Sequence, residues 1–256
     1  MFGKRILILI PHPDDEVVGC CGAILRAQAQ GSKIFGAYLT TGIFSRKKEK
    51  EAALRREEAK AVAKLLNIHA VAFEEIPSRQ LKDHLHEVEK KIAVTIKDCE
   101  IDQLWVPAYE GGHQDHDVTN FLASRLKKIV PVWEFSEYHF FGGKAQSNSF
   151  FESTGDEKKL ELTTKESQIK KKALSLYTSQ WFNLRVVRPS LTQEAFRPLG
   201  CYDYSKPPHE GKMYYQRFQL FTFHPAVDPI RPEELSLFFK KLSLPKAQAT
   251  FFDFCR

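Results

Sequence analysis

At 256 residues and 43% hydrophobic content the chain is long enough for one large α/β domain, and no run approaches the eighteen or so uncharged apolar residues of a membrane span. Its net charge of +6 is modest and comes with no nucleic-acid motif, and its five cysteines, odd in number and without a CxxC pair, read as buried free thiols rather than a disulfide framework. The aliphatic run after Lys4-Arg5 is too short for the core of a secretory signal, so a soluble, cytoplasmic protein is expected, with no integral membrane segment and no nucleic-acid partner.

The first element is the run Ile6-Leu7-Ile8-Leu9-Ile10, uninterrupted and β-branched, as in a strand buried on both faces of a parallel sheet. Pro11-His12-Pro13-Asp14-Asp15-Glu16 follows directly, at the carboxyl end where open α/β sheets place their ligands. Pro13 suits a helix start, and in such a turn His12 and Asp15, three apart, face one point while Asp14 sits beside it. A helix is expected over 17–30, with Gly19 and Gly22 allowing close packing, then a strand over 34–39 ending in Thr40-Thr41-Gly42. Dense charges interleaved with apolar residues predict a helix from Arg46 to Leu66. A strand over 70–73, a helix over 81–97 and a strand over 103–107 come next. After the loop 108–115, a helix from Asp117 or Thr119 to Lys128 and an aromatic-rich strand over 130–140 are expected, the latter placing Glu134 and Glu137 on opposite faces.

Residues 142–156 read as a loop and 163–177 as a helix, with Lys170-Lys171-Lys172 on a solvated face. Beyond Ser179 the pattern is irregular, apart from a strand over 214–223 and a helix over 232–241. The alternation predicts one domain over 1–256, an α/β fold with a mostly parallel sheet, helices on both faces and an irregular carboxyl-terminal extension.

A second polar cluster, Gly111-Gly112-His113-Gln114-Asp115-His116, falls at the end of the fourth strand. Two such clusters at strand ends of one sheet can face each other across a crevice. His12, Asp15 and one of His113 and His116 then offer three ligands and leave a place for water, as a catalytic zinc site requires. A dinucleotide site is excluded, since GxGxxG is absent and adjacent carboxylates repel a pyrophosphate. Paired histidines favour zinc or a similar transition metal over magnesium.

These residues resemble the signatures of the LmbE-like, or PIG-L, deacetylases: His-Pro-Asp-Asp-Glu after the first strand (His12 to Glu16) and a later His-x-Asp-His (His113 to His116). Thr41-Gly42, Arg55-x-x-Glu58 leading to Leu66, and Lys172-Ala173-Leu174 leading to Tyr177-x-Ser179-Gln180 agree as well, so the resemblance spans about residues 4–182. Asn67, Gln114 and Pro11 depart from the usual pattern without touching a proposed ligand. The resemblance implies a Rossmann-like three-layer fold, with a core over 1–182 and a divergent part over 183–256, and removal of an N-acetyl group from an amino sugar or its conjugate, with one zinc per chain (ferrous iron as the alternative) held by His12, Asp15 and His116. It implies Asp14 as general base and His113, held by Asp115, as the group facing the acyl oxygen in cationic form, while Glu16 supports the helix start. Arg55, Tyr177, Gln180 and Trp181 are candidates to contact a small-molecule N-acetyl amino sugar. Competing readings are an amidase for a larger acyl group and a non-catalytic sugar-binding protein on the same fold.

Overall fold

The computed structural model describes residues 2–44, 48–217 and 229–243. Strands β1 (Arg5–Ile10), β2 (Lys33–Tyr38), β3 (Ile68–Phe73), β4 (Gln103–Pro107) and β5 (Val132–Phe135) form the parallel part of a seven-stranded sheet ordered β3-β2-β1-β4-β5-β9-β8. β8 (Lys158–Glu161) and β9 (Gln193–Pro198) complete it antiparallel beyond β5. Chain order reverses between β1 and β4, so the loops following these two strands meet at the switch point.

β1 shows why both faces are covered. Leu7 and Leu9 join the core with α3 (Leu85–Asp98), α4 (Gln114–Leu126) and α7 (Pro232–Ser243). Ile6, Ile8 and Ile10 join the opposite core with α1 (Asp15–Ala29), α2 (Glu49–Leu65) and α5 (Thr164–Leu176). The α/β architecture expected from the alternation is therefore present, with helices on both sides of a mostly parallel sheet. No helix among the described residues is long and apolar enough to cross a membrane.

Several details differ from the sequence expectations. β8 was hidden because only Leu160 of its four residues is buried, and β9 because its inward positions include Glu194 and Arg197. The stretch 130–140 is not one strand: Glu110 accepts from the Glu137 and Tyr138 backbone N–H groups at 2.6 and 3.0 Å and ends the ladder at Ser136. Glu134 and Glu137 do face opposite sides, but both are buried: Glu134 accepts from Asn120 of α4 at 3.0 Å, whereas Glu137 packs against Gly19 of α1. Beyond the break, β6 (Tyr138–His139) pairs with β7 (Gln146–Ser147).

The helix expected over 81–97 opens with a 3-10 turn over Leu81–His84. Lys170 is not solvated but fully buried, its Nζ 2.9 Å from Glu194 Oε1 and 3.0 Å from the Val18 carbonyl. The predicted strand over 214–223 begins as a 3-10 turn, Tyr214–Gln216, and residues 218–223 lie outside those described, as does Arg46. Cys20 and Cys21 are buried, but Cys201 is exposed; Cys255 lies outside the described residues.

Candidate metal centre and its cavity

The turn after β1 is built around Asp14. Its φ of 126° is a conformation that side chains disfavour, and two contacts hold it there. Its N–H donates to Glu16 Oε2 at 3.1 Å, and the Glu16 Oε1 atom accepts from Tyr177 at 2.5 Å and from Tyr38 at 3.3 Å. Arg55, buried in α2, donates to the Pro13 and Gly42 carbonyls and lies 3.4 Å from Asp14 Oδ2. Asp15 then occupies the first position of α1, and its Oδ2 accepts from the His12 backbone N–H at 2.7 Å.

The other side of the crevice comes from α4, which starts at Gln114, three or more residues earlier than expected. His113 is its N-cap, and the Asp115 N–H donates to His113 Nδ1 at 3.1 Å. His116 falls in the first turn and reaches across, placing Nε2 3.2 Å from His12 Nδ1 and 3.4 Å from Asp15 Oδ2. His12 Nδ1 is 3.3 Å from that same oxygen. Ligands about 2.0–2.1 Å from a tetrahedral ion stand about 3.3–3.4 Å from one another. His12, Asp15 and His116 thus present a ready three-ligand set, and these residues fit a divalent ion.

Three residues, His12, His113 and Asp115, form a second cluster of ligand-type atoms. There Asp115 Oδ2 is already committed: it accepts from His12 Nε2 at 2.9 Å, Ser78 Oγ at 3.1 Å and the Arg79 N–H at 2.7 Å. A proton held on His12 Nε2 leaves Nδ1 facing Asp15 and His116, the tautomer a metal ligand needs. Asp115 holds His113 through its backbone rather than its carboxylate. Its carboxylate orients His12, 2.9 Å away, whereas His113 Nδ1 is 3.7 Å distant and is held by the Asp115 backbone instead.

The electrostatics follow from burial and these partners. Burial alone raises Asp15, but His116 and His12 outweigh it and hold the carboxyl well below its usual range. Burial alone lowers His12, but Asp15 and Asp115 prevail and push it up to about 10, so the pocket favours positive charge at this point. Burial raises Asp14 well above an ordinary carboxyl, with Arg55 opposing. His113 is pushed well below 6.5, first by burial and then by His12, so it is neutral, with Nδ1 accepting and Nε2 carrying the proton. This replaces the cationic His113 expected above.

A cavity of about 690 Å³ opens on this cluster and is lined by His12, Asp14, Asp15 and His113. Of the contact candidates, Gln180 lines it, and Arg55 does too, although its guanidinium is occupied by two carbonyls and Asp14. Tyr177 is buried beneath it on Glu16, and Trp181 is exposed and outside the lining, so neither is a wall residue. Glu58 of the Arg55-x-x-Glu58 pair accepts from Thr178 Oγ1 at 2.6 Å and from Ser179 at 2.9 and 2.6 Å, fixing the turn after α5. Glu137 is a residue that sequence reasoning missed: it is buried beside Asp15 and Asp14, brought there by the break after β5.

An open, mostly parallel sheet with a buried His–Asp–His set at its switch point defines a Rossmann-like α/β protein with a candidate metal centre. Residues 7–127 match the PIG-L family model, described as GlcNAc-PI de-N-acetylase. The chain is similar to a diacetylchitobiose deacetylase of Thermococcus kodakarensis, 34% identical over 155 residues that make up 55% of each protein. It therefore spans about half the length of the curated relative it matches. Among solved structures it resembles the zinc-inhibited form of the teicoplanin deacetylase Orf2, at a TM-score of 0.60 and 17% identity, covering 76% of this chain and 97% of that one. It also resembles a 4-carboxy-2-hydroxymuconate hydratase, GalB, of Pseudomonas putida, with a TM-score of 0.52 and 16% identity over 78% of this chain and 98% of that one. Likeness at these identities establishes the fold, and the fold alone does not select the reaction.

Proposed function

We propose that the protein is a metal-dependent hydrolase that removes the N-acetyl group from an N-acetylated amino sugar of the N-acetylglucosamine type, or from its conjugate. The observation that carries this reading is the triangle of His12 Nδ1, Asp15 Oδ2 and His116 Nε2, with sides of 3.2–3.4 Å, on a cavity that also exposes Asp14. The match of residues 7–127 to the PIG-L family model and the resemblance to the diacetylchitobiose deacetylase support the amide and the sugar.

His12, Asp15 and His116 would hold one zinc ion, whose contribution when bound is Lewis acidity and a lowered pKa for water. Asp14, held in place by Glu16 and Arg55, accepts a proton from the water that attacks the acetyl carbon. The neutral His113 donates its Nε2 proton as a hydrogen bond to the acyl oxygen, where negative charge develops. When the C–N bond breaks, Asp14 returns its proton to the departing amine, and acetate and the free amino sugar are the products.

The test is metal content by mass spectrometry, with acetate release from N-acetylglucosamine conjugates. Wild type should carry about one transition metal per chain, and His12→Ala and His116→Ala should lose it. Asp14→Asn should keep the metal and lose at least about a hundredfold in turnover. Metal-loaded wild type that releases no acetate from any N-acetyl sugar, or that hydrates an enol acid instead, would overturn the reading.

A further inference from the structure

The cavity at the candidate centre is lined by charged groups, Glu51, Arg55 and Arg79 among them, and by a cluster of apolar side chains. Its volume of about 690 Å³ lies near the middle of the roughly 300–1,000 Å³ of sites that enclose a drug-sized molecule, more than one hexose ring requires. One wall is the short helix α6 (Trp181–Val187), sequence WFNLRVV. Five of its seven residues are apolar, yet none of the seven is buried. Phe182, Leu184, Val186 and Val187 turn to the cavity, and Ile43 and Phe44, from the turn after β2, line it too. Phe182 is 60% and Phe44 39% exposed.

A helix this apolar normally buries a face against its own protein, and exposed hydrocarbon on a cavity wall is covered only when something apolar enters. A second sugar ring, as in a chitobiose unit, would set hydroxyls against aliphatic groups that cannot hydrogen-bond and would bury less hydrocarbon than an alkyl chain does. The wall is continuous with the site: Gln180 and Asn183, at the start of the same segment, line the cavity together with His12, Asp14 and His113. The molecule seated on α6 is therefore part of the one whose amide faces Asp14.

We propose that the α6 wall is an aglycone subsite, and that the substrate is an N-acetylated amino sugar carrying an alkyl or aryl group of about six to ten carbons. This inference rests on the deacetylase reading, which keeps the acyl group small and so assigns the apolar part to the aglycone. Specificity then resides in Phe182, Val186 and Val187, with Ile43 and Phe44 completing the apolar lining.

The test compares octyl and methyl glycosides of N-acetylglucosamine, N,N'-diacetylchitobiose and N-octanoylglucosamine, with the octyl glycoside kept below its micelle concentration. Calorimetry on zinc-loaded Asp14→Asn protein gives binding without turnover, and wild type gives acetate release. The octyl glycoside should bind on the order of ten- to a hundredfold tighter than the methyl glycoside, with a more negative heat-capacity change. Phe182→Ser and Val186→Asn should each cut that ratio to about three or less. Equal affinities, or preference for the chitobiose, would overturn the subsite. Tightest binding of N-octanoylglucosamine would overturn it as well, by moving the apolar group to the acyl side. Tight, variant-sensitive binding of the octyl glycoside with no acetate released by wild type would support the apolar subsite while removing the deacetylase reading.

Discussion

Asp14 concentrates the cost and the use of this site in one residue. A φ of 126° is a glycine-like conformation, and it persists because Glu16 holds the N–H and Arg55 holds the neighbouring carbonyls. Asp14→Gly and Asp14→Ala both remove the carboxylate, so their difference isolates the backbone. The glycine variant should be the more stable by about 1 kcal/mol or more in urea denaturation, with neither turning over substrate. Asp115 acts at one remove, through the His12 ring. Asp115→Asn should weaken metal binding by about ten- to a hundredfold without removing a ligand. The proton on His12 gives the pH dependence. With His12 pushed up to about 10, it is protonated throughout pH 6–9, and an incoming ion must displace that proton. Apparent metal affinity should rise about tenfold per pH unit across that range, as competition with a chelator would show.

At the scale of elements, the site depends on how α1 is interrupted and how α5 is tied to it. Cys20, at φ −144°, breaks the helix, and the N–H groups of Gly22 and Ala23 beyond it donate to Glu194 at 2.9 and 3.0 Å. Lys170 of α5 bridges Glu194 and the Val18 carbonyl on the other side of the break. Gly19 lets this turn approach β5 closely, since a Cβ there would meet Phe135 at 2.2 Å. Lys170→Met leaves the Glu194 carboxylate buried without its cation, and should cost about 3–5 kcal/mol in thermal or urea unfolding.

The N-terminus of α5 offers a milder case. Thr163 and Glu166 form a reciprocal cap, and Arg26 of α1 donates to Glu166 at 2.7 Å. Arg26 foremost, against burial, lowers Glu166 to about 2. A depressed carboxyl stabilises the fold above its unfolded pKa of about 4.5 and loses that contribution as pH falls toward about 2. Glu166→Gln should therefore be less stable than wild type at pH 7, with the gap closing as pH is lowered from about 4.5 to 2.

At the scale of the whole molecule, the carboxyl-terminal helix is built into the same core as the first strand. Leu235 and Phe239 of α7 share a cluster with Leu7 and Leu9, and Phe239 stacks on Phe121 of α4 with ring centroids 4.5 Å apart. Residues far apart in sequence therefore stand or fall together, and one cooperative unfolding transition is expected by calorimetry. Phe239→Ala should lower stability by about 3–5 kcal/mol without splitting that transition. Two separate transitions would show that the divergent part folds as its own unit.

The local sequence was enough to determine the strand–helix alternation, because buried parallel strands such as Ile6–Ile10 are apolar at every position and helices such as α2 keep a helical period. It was enough, too, to mark both polar clusters, because each follows a strand directly. Three further matters were decided only by the tertiary structure. Both histidines of the second cluster were eligible ligands until α4 began at Gln114, which carried His116 to His12 and left His113 as the cap. Arg55, Glu58, Tyr177 and Lys170 look like surface or pocket residues when only chain neighbours are counted, yet their partners lie 42, 120, 161 and 24 residues away. β9 breaks the hydrophobic pattern because its charged residues are satisfied by groups that only the packed sheet supplies, such as Arg197 on Glu134, and β8 breaks it because three of its four residues face solvent. A sequence pattern reports which residues avoid water. Which polar groups then satisfy one another is a property of the assembled sheet.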